Sequence, residues 1–175
     1  MSSKSTALTK KIALLGILGA QALALSALEN LIPAFPGLPP GAKPGLSNIV
    51  TMYTAARIGL PEALYITLIK AIFAGLTRGP SAFFMSISGG LLSTTVMFVL
   101  LRLQNRPFGI AGISVAAAVA HNTGQLLAAM VLTGTSAVVG YAPVLGFFAI
   151  ITGLVTGAIL KIVLPALDKQ SKFLT

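Results

Sequence analysis

The sequence has no cysteine, no tryptophan and only three carboxylates among its 175 residues. The absence of cysteine excludes disulfide frameworks, thiolate zinc sites, iron–sulfur clusters and cysteine nucleophiles. The carboxylates are Glu29, Glu62 and Asp168, and they are spread along the whole chain. Enzymes that hold magnesium for phosphoryl or diphosphate chemistry need several oxygen ligands close together. We therefore expect a protein that is not an enzyme and that holds neither a metal nor a cofactor.

Charge is also scarce, since 9% of the residues are charged and 55% are hydrophobic, against roughly 25% charged in soluble domains. The mean hydropathy of +0.94 indicates an all-α, polytopic membrane protein, a single membrane domain over residues 1–175. A helix needs about 20 apolar residues to cross a bilayer, and the apolar segments predict a bundle of six transmembrane helices. Their predicted bounds are residues 12–32, 45–56, 61–77, 81–101, 109–132 and 141–164.

The second of these helices is too short to cross a full bilayer upright, so we expect it to be tilted, broken or re-entrant. The first one follows Lys10 and Lys11 and ends in small residues, a pattern that a cleaved signal peptide also shows. Five further apolar segments follow, and the first run continues to Ile32, which favours an uncleaved span.

The basic residues predict the orientation, because cytoplasmic loops carry an excess of lysine and arginine. With both termini cytoplasmic, nine of the twelve basic residues lie inside, Lys43 and Arg78 lie outside, and Lys70 lies within a span. The net charge of +9 is then explained by orientation of the protein in the bilayer, with most basic residues facing anionic lipid headgroups. Nucleic-acid binding is not expected, since aromatic residues for base stacking do not alternate with the basic ones.

Polar side chains in apolar helices are costly and usually face a bundle interior, a cavity or a ligand. In the predicted topology several of them converge on the outer half of the bundle, and His121 and Gln125 lie one turn apart on one face. Seven residues are candidates for substrate binding: Glu29, Lys43, Asn48, Arg78, His121, Asn122 and Gln125.

Four of these candidates have an alternative role. Lys43 and Arg78 are equally consistent with binding of lipid headgroups, and His121 and Gln125 with hydrogen bonds that hold helices together. For Lys70 the sequence leaves open whether it snorkels or pairs with Glu29 or Glu62. The segment 33–44, PAFPGLPPGAKP, contains five of the ten prolines and is predicted to be an ordered external cap or a tight connection, because proline excludes helix.

Small residues recur at helix-packing spacing in the first and last helices. The two stripes are Gly16, Ala20 and Ala24, and Ala149, Gly153 and Gly157. Such stripes let helix backbones approach closely. Each stripe can pack within this bundle or against another membrane subunit.

Three segments resemble a known family: PGAKPGLSNI (40–49), TRGPSAFFMSISGGLLS (77–93) and HNTGQ (121–125). The family is heptaprenyl diphosphate synthase component I, also called Gx transporters, and it is related to the substrate-binding S components of energy-coupling factor importers. The resemblance covers nearly the whole chain. Pro44 departs from it, since an aliphatic residue is expected before the glycine.

The resemblance implies a six-helix subunit in a prokaryotic plasma membrane, partnered by a membrane coupling subunit and two ATPase subunits. It implies docking to the coupling subunit through the first helix, at Ala13, Gly16, Ala20 and Ala24. The expected ligand is a small amphipathic, anionic metabolite captured from outside and related to isoprenoids, quinones or vitamins. The alternatives are a non-transport subunit of a membrane redox or quinone-associated complex, and an integral membrane enzyme of isoprenoid metabolism, against which the sparse acids argue.

Overall fold

The computed structural model describes residues 2–31, 45–103 and 109–174, and nearly all of them are helical. The predicted proline-rich cap and Lys43 lie outside these residues. The described part of the chain forms six α-helices and no strand. The helices are α1 (Ser2–Leu31), α2 (Asn48–Arg57), α3 (Leu60–Arg78), α4 (Pro80–Arg102), α5 (Gly109–Thr133) and α6 (Ala142–Leu174), and a short 3₁₀ helix, Ser136–Tyr141, precedes α6.

The predicted all-α architecture of six helices is confirmed. Five segments are long and apolar enough to cross a membrane: Leu8–Leu31, Leu60–Arg78, Pro80–Arg102, Gly109–Thr133 and Ser136–Lys169. The remaining helix, α2, has 10 residues, or about 15 Å of length. It therefore covers only half of a hydrocarbon core that is about 30 Å thick.

The outermost helices extend beyond their predicted spans. α1 begins at Ser2 and α6 continues to Leu174, whereas the spans were predicted from residue 12 and to residue 164. The length of the apolar run predicts the part of a helix that lies in the hydrocarbon core of the bilayer. The helix itself can continue through polar residues beyond that part. The 3₁₀ helix lies in the connection between the last two predicted spans.

Glycine and proline form the tight connection between α3 and α4. Gly79 has a φ of +95°, a conformation that glycine adopts without steric cost. Its N–H donates to the carbonyl of Gly75 at 2.9 Å, and Pro80 begins the next helix, where a missing N–H is tolerated. α3 and α4 therefore run in opposite directions side by side.

Two ion pairs lie at one end of the bundle. Lys11 of α1 pairs with Glu62 of α3, and Arg57 of α2 pairs with Asp168 of α6, each at 2.5 Å between nitrogen and oxygen. This is the end that the basic residues predict to be cytoplasmic. Which face of a membrane it meets stays a prediction.

The short helix α2 is the most enclosed element. All residues from Ile49 to Ala55 are buried, and α2 packs against α1, α3, α4 and α6. Its Tyr53 is 1% exposed, and the Tyr53 hydroxyl donates to the carbonyl of Leu167 in α6 at 2.9 Å. α2 is therefore held at the centre of the bundle although it cannot cross a bilayer.

The two stripes of small residues have different surroundings. A Cβ at Gly153 would lie 2.5 Å from the Val115 Cα, and one at Gly157 would lie 2.8 Å from the Ala111 Cα. The stripe on α6 therefore packs against α5 inside the bundle. On α1, Gly16, Ala20 and Ala24 are exposed, as is Ala13, and a Cβ at Gly16 would meet nothing within 4 Å.

Candidate functional site

A cavity lies among all six helices and has a volume of about 80 Å³. A single water needs roughly 10–15 Å³ of such space, so several waters or a small molecule fit. Its walls extend from Gln125 and Arg78 at one end to Ser114 and Thr156 deep between α5 and α6.

The fold brings together six of the seven residues that the sequence singled out. Those that line the cavity are Glu29, Asn48, Arg78, His121, Asn122 and Gln125. The seventh, Lys43, lies outside the described residues. The six come from α1, α2, α3 and α5, so their convergence is a property of the tertiary fold. That they bind a substrate stays a prediction.

Two glycines bring α4 and α5 together beside the cavity. A Cβ at Gly89 would lie 2.7 Å from the carbonyl oxygen of His121 and 2.9 Å from the Cγ of Gln125. A Cβ at Gly124 would lie 2.6 Å from the carbonyl oxygen of Ser88. Only glycine permits this separation, and it places the side chains of His121 and Gln125 at the cavity wall. The second and third segments of the family resemblance thus form one packing unit.

His121 carries an unusual polar atom. Its Nδ1 is buried and has no hydrogen-bond partner within the described part of the chain. Buried polar atoms are bonded in the great majority of cases, and an unsatisfied one costs about 1–3 kcal/mol. Nδ1 is therefore available to a molecule in the cavity, and it accepts a hydrogen bond when Nε2 carries the proton of the neutral imidazole. The neighbouring Asn122 has a structural partner, because its Nδ2 donates to the carbonyl of Leu145 in α6 at 3.0 Å.

Glu29 connects α1 to the beginning of α2. Its carboxylate, 4% exposed, accepts hydrogen bonds from the Ser47 N–H at 3.2 Å and from the Ser47 Oγ at 3.4 Å. Ser47 precedes α2, and its own side chain does not cap the helix. A helix N-terminus has unpaired N–H groups and a partial positive charge, both of which favour a carboxylate. Glu29 therefore caps α2 from a neighbouring helix, and it also interacts electrostatically with Arg78.

Lys70 is a cavity residue that sequence reasoning did not place among the candidates. Its Nζ donates to Asn48 Oδ1 at 2.6 Å and to Thr51 Oγ1 at 3.4 Å, and it interacts electrostatically with His121. Glu62, one of the two partners that the sequence suggested, pairs with Lys11 instead. The sequence spacing could have identified Lys70 as a cavity residue. Residues four apart on a helix share a face, and Lys70 lies two such steps before the candidate Arg78.

Hydroxyl groups complete the lining, and the sequence did not point to them. They belong to Ser26, Ser47, Ser86, Ser93, Ser114, Thr152 and Thr156. Serine and threonine often bond to the carbonyl four residues back in their own helix, as Thr67 does to Ala63 at 2.9 Å. Their presence in an apolar span therefore carries no signal of a site.

The described fold and its cavity define the class: a multi-pass α-helical membrane protein with a polar chamber inside the bundle. The family model described as heptaprenyl diphosphate synthase component I matches residues 18–163, and the chain belongs to this family. The resemblance noted from the sequence is thereby confirmed. The family name refers to one component of a synthase. Comparison with curated proteins and with solved structures gives no match.

Proposed function

We propose that this protein is the substrate-binding subunit of an importer of the energy-coupling factor type in a prokaryotic plasma membrane. It captures a small anionic metabolite from outside the cell. The observation that carries the proposal is the polar cavity, to which all six helices contribute and which Lys70 and Arg78 line together. Ionisable groups inside a membrane protein are costly, and they commonly mark the path or site of a polar ligand.

The positions of the three carboxylates support binding rather than catalysis. Glu29 caps α2, Glu62 pairs with Lys11, and Asp168 pairs with Arg57. Glu29 lies at the cavity, while the other two lie at the opposite end of the bundle. A magnesium ion for diphosphate chemistry needs carboxylate oxygens gathered around it, and this arrangement keeps them apart.

The exposed small-residue face of α1 supports docking of a second membrane subunit. Ala13, Gly16, Ala20 and Ala24 are all exposed on this helix, unlike the α6 stripe, which packs against α5. Small side chains let a partner helix approach closely in a membrane. We propose that a membrane coupling subunit binds here and that two ATPase subunits, bound to it, supply the energy.

Ala20→Trp is expected to abolish assembly with the coupling subunit while leaving ligand binding within about twofold, because Ala20 is exposed and lies outside the cavity lining. The measurement is co-purification of a tagged chain with its partners from host membranes. Ala158→Trp, at an exposed position of α6, is the matched control and should assemble as wild type does. An intact complex in the Ala20 variant would show that this face is not the docking site.

Native mass spectrometry of the wild-type chain, purified in mild detergent from its own host, tests the function as a whole. The importer predicts a coupling subunit and two ATPases in the recovered complex, together with saturable ligand binding. Recovery of electron-transfer subunits would contradict the importer hypothesis and support the alternative, a subunit of a membrane redox complex. Formation of a prenyl product by the purified chain would make it an enzyme.

A further inference from the structure

We infer that the cavity takes a compact hydrophilic anion carrying a carboxylate or phosphate group, and that it does not hold a prenyl chain or a flat ring system. This inference rests on the proposed binding function and narrows it, since the sequence suggested an amphipathic ligand related to isoprenoids, quinones or vitamins.

The polarity of the lining is the first observation. Fourteen of its twenty-one residues have polar or charged side chains. Several of them already bond within the protein, such as Ser114 with Thr156 and Asn122 with the Leu145 carbonyl. A hydrocarbon chain in the cavity would still remove water from the charged Lys70 and Arg78 side chains, which is unfavourable. The polar groups also reach the inner end, where Ser93, Ser114 and Thr156 are buried. An amphipathic ligand would need an apolar compartment for its tail, and neither end of the described lining supplies one.

The apolar part of the lining is the second observation. It consists of aliphatic and sulfur side chains, namely Ile49, Met52, Ala74, Met97, Ala117 and Ala118. The chain has nine phenylalanines and three tyrosines, yet none of them is among the described lining residues. Sites for small organic ligands are usually lined by hydrophobic and aromatic side chains. Within the described lining, a quinone or another extended ring has no aromatic face to stack on.

The charges are the third observation. Lys70 and Arg78 lie on one face of α3 and both line the cavity, against the single carboxylate of Glu29. That carboxylate already accepts two hydrogen bonds from Ser47. Two cations against one carboxylate favour an anion that accepts several hydrogen bonds.

The test compares three fractions of host-cell extract as probes. They are the water-soluble metabolites retained on an anion exchanger, the water-soluble metabolites that pass through it, and the lipid-soluble fraction with its prenyl compounds and quinones. The full chain, washed free of bound small molecules and placed in nanodiscs, is heated with each fraction, and the temperature at which half of it remains soluble is recorded. Only the retained anions are expected to raise this temperature, by about 5–10 °C at saturation.

Variants show whether the effect comes from the cavity. Lys70→Met should abolish the shift, and Lys70→Arg, which keeps the charge, should retain most of it. Lys161→Met, at an exposed position of α6, is the matched control and should respond as wild type does. Phosphatase treatment of the active fraction separates the two anion types, because only a phosphate ester loses its effect.

Stabilisation by the lipid-soluble fraction, by the uncharged fraction or by none of the three would overturn the inference, as would a shift that survives Lys70→Met. These failures are distinguishable from failure of the proposed function. A lipid-derived ligand in a chain that still recovers a coupling subunit and ATPases overturns the ligand class and leaves the importer. A hydrophilic anion in a chain that recovers no such partners does the reverse.

Discussion

Gly124→Ala is expected to lower the free energy of unfolding by about 2–3 kcal/mol relative to Gly146→Ala, the scale of overpacking in a close-packed interior. The new Cβ at Gly124 would lie 2.6 Å from the Ser88 carbonyl oxygen and 2.8 Å from the Gly89 Cα. Both are backbone atoms, so relief requires α4 and α5 to separate. Separation also moves His121 and Gln125, and we expect weaker ligand binding as a second consequence.

Gly146→Ala is the matched control because a Cβ there would meet nothing within 4 Å. Both positions are helical, so alanine improves helix propensity by about 1 kcal/mol in each, and the difference between the variants isolates the steric clash. The measurement is unfolding of the purified chain in a denaturing detergent titration, followed by circular dichroism at 222 nm. Equal stability of the two variants would show that the α4–α5 contact is not tight.

Glu29→Ala is expected to destabilise the ligand-free protein by about 2–3 kcal/mol, the combined scale of a lost helix cap and a lost hydrogen bond to a charged group. The substitution leaves the Ser47 N–H and hydroxyl at the start of α2 without their carboxylate partner and removes the charge near Arg78. Glu29→Gln retains an acceptor oxygen, so its loss should be smaller, about 1 kcal/mol from the helix dipole term.

Glu62→Ala is the control for the loss of a carboxylate. Glu62 is 13% exposed and pairs with Lys11, whose side chain is 50% exposed. An ion pair that water reaches from the lysine side contributes about 0–1 kcal/mol. Detergent unfolding of the three variants without ligand gives the comparison. If Glu29→Ala unfolds as wild type does and only its ligand binding falls, Glu29 acts on the ligand and not as a cap.

The fold was predictable to the extent that it depends on apolar length. Five long segments and one short one could be read from the sequence because a bilayer sets a minimum span, and α2 was recognised as too short for it. The candidate site was partly predictable for a related reason. Polar side chains in apolar helices, such as His121 and Gln125, are unfavourable against lipid and therefore usually face the bundle interior. Six of the seven candidates line one cavity.

What could not be predicted depends on neighbours in space. The small-residue stripes on α1 and α6 look alike in sequence. A Cβ at Gly153 would collide with α5, whereas one at Gly16 would meet no described residue of another helix within 4 Å. The capping contact joins Glu29 to Ser47, eighteen positions later in the sequence. Sequence patterns over a few residues give no sign of a contact at this separation. Lys70 could have been assigned to the cavity from its spacing to Arg78, but its bond to Asn48 needed the packing of α2 against α3.

The half-length helix α2 connects two places that are otherwise distant. At its first residue, Asn48 accepts a hydrogen bond from Lys70 at the cavity, and at its last, Arg57 pairs with Asp168 near the end of α6. Between these two contacts α2 is buried from Ile49 to Ala55 and packs against four other helices. The cavity lining and the charged end of the bundle are therefore parts of one short, rigidly packed element, joined by a helix and not by a loop.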